Sequence, residues 1–220
     1  MSVENLKKVF VQANASDMAD GKRSYQRYNQ LMRLMGEQNG YDHTIAAAVF
    51  CALSPNNDFN GNLRDARNLL KNHRAGRGID DFKVSTYGNN KRKAWAIVNG
   101  ADPLELIKAP KTRSFFLNVC DPTDHKPVTV DGHIYNCWNG KRMNLIGLRT
   151  LGNYDEVAEG VRELAREENM VPCEMQGILW FTWKRIHGIL STPQMSFWHD
   201  DMILAGIGFH RTEQLTAAVA

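Results

Sequence analysis

Nine consecutive apolar residues, Ile45-Ala46-Ala47-Ala48-Val49-Phe50-Cys51-Ala52-Leu53, constrain this 220-residue chain more than any other feature. A membrane-spanning helix needs about 18 or more such residues, and no longer apolar run occurs, so a membrane span is not expected. The run is apolar on every side, and its alanine content and length favour a central buried helix over a strand. Whatever covers it must come from the rest of the chain, and the flanking pattern offers helices. Tyr25, Tyr28, Met32 and Met35 recur at three- and four-residue steps on one helical face. A helix from about Asn60 carries Leu63, Ala66 and Leu70 inward and ends between His73 and Gly78.

Further along, Lys91 to Asn99 reads as a short helix closed by Gly100, and Pro103 can open another at its first turn. Lys111 to Val119 carries Phe115, Phe116 and Val119. Asn153-x-x-Glu156 resembles a capping box before Val157, Val161 and Leu164. Pro172 opens a last long helix through Met175, Leu179, Trp180 and Trp183. Only Pro127 to Val130 looks extended, and four residues are too few to found a sheet. The expectation is an all-α protein. No repeat, low-complexity tract or Pro/Gly linker divides it, so residues 1–220 are expected to form one compact unit or two small intertwined lobes.

The composition narrows the function classes. Lys and Arg number 27 against 24 Asp and Glu, a net charge of +3, so any basic binding face must be local. The candidates are Lys91-Arg92-Lys93 and the group Lys71, His73, Arg74 and Arg77, each of which is either a backbone-contacting patch or a solvated surface. Cys51, Cys120, Cys137 and Cys173 stand far apart with no C-x-x-C pair, which removes the usual zinc and iron–sulfur spacings and suits reduced thiols inside a cell. His43, His125, His187, His199 and His210 form no metal spacing. No metal and no cofactor is expected. The first residues lack the basic-then-apolar order of a signal peptide.

Three segments carry candidate chemistry. Ser54-Pro55-Asn56-Asn57 is a polar loop at the end of the most buried helix, and Asn56 has both a donor and an acceptor with which to read a base edge or fill a hole in a base stack. The plainer reading is a helix stop followed by turn residues. Residues 104–120 hold a tight turn in which Lys108, Lys111 and Arg113, with Thr112, open onto a helix suited to a phosphate. Lys111 is also a nucleophile if its surroundings lower its pKa, and the plainer reading is a solvated basic turn. In Val128-Thr129-Val130-Asp131-Gly132-His133, Asp131 can cap the helix that follows, or stabilise a developing positive charge and orient a water.

Taken together, these segments resemble the helix-hairpin-helix (HhH-GPD) DNA glycosylase superfamily over roughly residues 45–138. Val128-Thr129-Val130-Asp131-Gly132-His133-Ile134 is similar to the family's V-D-x-H segment, whose Asp is the catalytic carboxylate. Lys111-Thr112, 20 residues upstream, is similar to the Lys-Thr that begins the second hairpin helix. Leu53-Ser54-Pro55-Asn56 is similar to the loop whose Asn or Gln enters the duplex. The resemblance implies a two-lobed helical fold and a DNA duplex with an extruded base as partner. It assigns catalysis to Asp131 and Lys111. DNA or base contacts fall to Asn56, Asn57, Lys108, Thr112, Arg113 and His133; Lys91 and Lys93, from the local basic cluster, are candidates for the backbone if that cluster is not simply a solvated surface. Tyr135 and Trp138 are pocket aromatics whose alternative role is core packing. The family's hairpin glycines are replaced by Ile107-Lys108-Ala109-Pro110, and Pro110 has no N–H to give a phosphate. The departures suggest a divergent member like small phage-encoded proteins, working in the cytoplasm of the infected host.

The resemblance implies an enzyme that flips out a modified or damaged base and cleaves its N-glycosidic bond, with abasic-site lyase activity if Lys111 is the nucleophile. A second reading keeps the flipped base but displaces pyrophosphate from a hypermodified thymine with a small amine or amino acid. A third, a non-catalytic DNA-binding protein, predicts that Asp131→Asn changes no activity.

Overall fold

A computed structural model of the chain describes residues 2–144 and 151–189. Among these, every regular element is helical, with no strand. The helices are α1 (Val3–Phe10), α2 (Ala15–Asn39), α3 (His43–Leu53), α4 (Phe59–Arg74), α5 (Gly88–Val98), α6 (Pro103–Leu106), α7 (Pro110–Cys120), α8 (Gly132–Asn139), α9 (Leu151–Glu167) and α10 (Pro172–Ile186). A single 3-10 turn covers Ile79–Asp81. None is long and apolar enough to cross a membrane among the described residues.

Contacts divide the chain into two compact units, one of residues 1–33 and 107–190 and one built on residues 34–106. In the second, the apolar run becomes α3, which Asp42 caps by accepting the Thr44 N–H at 2.7 Å. Ala46 through Leu53 are all buried there, against α4 and α5. Helix α4 starts one residue earlier than the pattern suggests because Asp58 caps it through the Gly61 N–H at 2.8 Å. Helix α5 starts three residues early. Its first turn, Gly88-Asn89-Asn90, has weak helix propensity, and the Asn90 amide steadies it by donating to the Thr86 hydroxyl at 2.9 Å.

The first unit packs α1, α8, α9 and α10 around Leu6, Ile134, Val161, Leu164, Met175 and Trp183. Helix α1 escaped the sequence reading because eight residues give two turns of periodicity, and burial of Leu6 and Val9 is what holds it. Helices α2 and α10 cross where two glycines meet: a side chain on Gly177 would strike the Gly21 carbonyl oxygen at 2.5 Å. Arg185 of α10 also pairs with buried Asp17 near the start of α2 at 2.7 Å. One expectation fails. Helix α9 is already formed at Leu151, so Asn153 and Glu156 are exposed residues within it rather than a capping box. The four-residue signature is short enough to arise inside a continuing helix. The segment from Thr192, with His199 and His210, lies outside the described residues.

Candidate functional site

The first unit builds its most elaborate polar arrangement around Asp131. The approach is a buried strap, Val128-Thr129-Val130, whose backbone is bonded by a side chain from α9. The Tyr154 hydroxyl accepts the Val130 N–H at 3.1 Å and donates to the Val128 carbonyl at 2.8 Å. The Thr129 hydroxyl accepts from the Asn118 amide at 3.1 Å. Asp131 then stands at the N-cap of α8, its Oδ1 accepting the backbone N–H groups of His133 and Ile134, each at 2.9 Å. The expected cap is therefore present.

The other carboxylate oxygen has a partner that sequence reasoning did not supply. Trp180 of α10, 49 residues away, donates its indole N–H to Asp131 Oδ2 at 2.9 Å. One turn further along α10, the buried Lys184 holds its ammonium 3.9 Å from the Trp180 ring centroid. The His133 imidazole meets the same indole edge-on, with centroids 5.8 Å apart and planes at 85°. The run Ile178-Leu179-Trp180-Phe181-Thr182-Trp183-Lys184 reads as core face, and the single lysine ending it at helical spacing from Trp180 was the signal available.

Burial pushes the His133 imidazole below its usual range. The Asp131 charge opposes this, while Lys184, Lys111 and Arg142 add to it. Burial likewise lowers the Lys184 ammonium from the usual lysine range, against the pull of Asp131. Lys111 is exposed at the second position of α7, just after Pro110, and its charge reaches His133. Helix α7 is tied down firmly: the Asn29 amide donates to the carbonyls of Val119 and Cys120 at 2.8 and 2.9 Å, and Tyr25, Tyr28 and Phe115 meet edge-on. Through Asn118 the helix that carries Lys111 is also bonded to the strap that carries Asp131.

The remaining predicted residues sort by place. Lys108 is exposed in the turn before α7, and Thr112 and Arg113 are half-buried in its first turn. Tyr135 and Trp138 are core residues, and Gly160 of α9 leaves the space that the Trp138 ring fills, so packing accounts for both. Burial raises the Cys137 thiol and pushes Cys173 up to about 12, so neither is a thiolate nucleophile at neutral pH. No group of three His, Cys, Asp or Glu among the described residues could hold a metal.

Asn56, Asn57, Lys91 and Lys93 belong to the second unit. Asn56 is exposed and holds a left-handed backbone, φ 54°, which asparagine tolerates better than most residues. Its amide donates to the hydroxyl of Tyr87, a residue the sequence reading passed over and one that is 61% exposed. Asn57 turns inward instead, donating to the buried carboxylate of Asp65 at 3.1 Å; the same carboxylate accepts the Ser85 N–H at 2.5 Å. Asp65 thus joins the loop of Asn56 to the loop of Tyr87. Lys91 donates to the Phe82 carbonyl and lies 4.4 Å from that ring's centroid, so its ammonium is already engaged within the unit.

The chain belongs to a family of unknown function, DUF7178, whose model matches residues 1–187. No curated protein and no solved structure gives a match.

Proposed function

We propose that this chain is a DNA-acting enzyme with an HhH-GPD glycosylase-like fold, which extrudes a modified or damaged base and breaks its N-glycosidic bond at Asp131. The observation that carries the reading is a half-buried carboxylate held at both oxygens. As the C1′–N bond breaks, its electron pair leaves with the base and the sugar becomes cation-like, which a fixed carboxylate stabilises. Water then bonds to C1′ and its proton goes to the departing base. With the Lys111 amine as nucleophile instead, a Schiff base forms and the strand is cut at the abasic site. Asn56, with Tyr87 beside it, would occupy the stack the base has left. Lys108, Thr112, Arg113 and Lys93 would contact phosphates.

A second reading has its own support. By the resemblance, Ile107-Lys108-Ala109-Pro110 would replace the hairpin glycines that grip a phosphate, and the charges of both Lys111 and Arg142 bear on His133. On this reading Lys111 and Arg142 would each offer a positive charge to the pyrophosphate that leaves a hypermodified thymine as an amine or amino acid bonds to the base carbon.

Mass spectrometry of free bases and intact nucleosides, after incubation with damaged and phage-type DNA with and without amines, separates the two. Base release that disappears in Asp131→Asn supports the first reading, and borohydride trapping lost in Lys111→Gln identifies a lyase. Exchange of pyrophosphate for amine with no base released favours the second. Neither base release nor amine exchange on any of these substrates, with DNA binding unaltered by Asp131→Asn, rejects both and leaves a non-catalytic DNA-binding protein.

A further inference from the structure

We infer that Trp180 and Lys184, one turn apart on α10, are positioning residues for the Asp131 carboxylate: the indole N–H fixes the oxygen that the helix cap leaves over, and the lysine ammonium on the indole face strengthens that donor. The consequence for catalysis rests on the proposed role of Asp131, but the interaction itself does not.

Capping α8 uses Oδ1 alone, through the N–H groups of His133 and Ile134. A carboxylate so bound could still swing its second oxygen. The Trp180 N–H at 2.9 Å removes that freedom and sets the orientation of the lone pairs that remain. The same helix shows that this bond is not a general demand of buried indoles. Trp183 is 2% exposed, and its own indole nitrogen finds no hydrogen-bond partner among the described residues.

Lys184 adds the second part. An ammonium 3.9 Å from the centroid draws electron density toward the ring face and leaves the indole N–H a stronger donor. Burying that ammonium costs stability, and a methionine would fill similar space without a charge. Helix α8 brings His133 edge-on to the indole. The charged and titratable groups bearing on the cluster are Asp131, His133 and Lys184, with Lys111 and Arg142 acting on His133 and with Cys137 of α8, Tyr154 of α9 and Tyr25 of α2 near enough to feel the Asp131 charge.

The test is the indole N–H resonance of Trp180 in the intact, tryptophan-labelled chain, assigned by its loss in Trp180→Phe. It should lie downfield, as a strongly hydrogen-bonded indole N–H does. It should shift upfield in Asp131→Asn, because an amide that keeps its oxygen on the cap presents an NH2 to the indole. It should shift part of the way in Lys184→Met and return in Lys184→Arg, while the other indole resonances stay in place and report an intact fold. With a DNA substrate, Trp180→Phe and Lys184→Met should lower kcat by up to about 100-fold with little change in KM, and Lys184→Arg should recover most of it. A Trp180 resonance unmoved by Asp131→Asn overturns the proposal, and one unmoved by Lys184→Met removes the role of the lysine. Expected shifts with no activity on any DNA would keep the positioning pair and reject the enzyme reading; Asp131-dependent activity with an unmoved resonance would do the reverse.

Discussion

A neutral imidazole is what the surroundings of His133 favour, and this has a consequence for stability as well as chemistry. Burial is the largest cause of its lowered pKa; Asp131 pulls the other way, and the cations of Lys184, Lys111 and Arg142 lower it further. As pH falls below the ordinary histidine value of about 6.5, the unfolded chain takes up a proton at this position and the folded chain does not. Stability therefore falls with pH from there down to the lowered folded value, where the two states again bind equal protons. Urea midpoints measured from about pH 7 to about pH 5 should drop more steeply for the native chain than for His133→Gln. The residue-level chemistry of Asp131 as a cap was legible in advance, because a cap is a matter of three consecutive residues. Its bond to Trp180 was not, since nothing local to either residue requires it.

At the scale of elements, glycines separate two kinds of helix position. Gly177 lets α10 meet α2: a Cβ there would lie 2.5 Å from the Gly21 carbonyl oxygen and 2.9 Å from the Ser24 hydroxyl. A backbone carbonyl does not yield cheaply, so Gly177→Val should cost about 1–3 kcal/mol in urea unfolding, or more if α10 shifts. Gly152, exposed within α9, would meet nothing within 4 Å. Gly152→Ala should therefore gain about 0.5–1 kcal/mol from the backbone entropy of the unfolded chain. Most helices were readable because apolar periodicity and caps repeat over one or two turns; α3, α4, α7 and α10 begin or end within a residue or two of where those signals stand. Helix α1 and the first turn of α9 were not. One is held by distant packing, and the other continues through a sequence that imitates a start.

For the whole molecule, a net charge of +3 offers no general attraction to DNA, so affinity must come from a few local cations. Binding should weaken steeply with salt, and Lys93→Ala should reduce the slope of log affinity against log salt by about one. Lys91→Met should leave that slope unchanged, because its ammonium is engaged with Phe82, and should lower the thermal midpoint instead. Titrations with a labelled duplex over a salt series check both. A flat response would remove nucleic acid from the account.

The amino-acid sequence by itself determined that the described chain is helical, that α3 is buried, and that Asp131 opens a helix with an adjacent histidine. These are short-range properties, set by side chains within a few residues of one another. Only the tertiary structure decided that Trp180 faces the carboxylate while Trp183 enters the core, that Lys184 is buried against an indole, and that Asp65 joins the loops of Asn56 and Tyr87. Those choices follow from the angle at which helices cross and the register of loops against them. The packing of residues far apart in the chain sets both, so no local pattern records them.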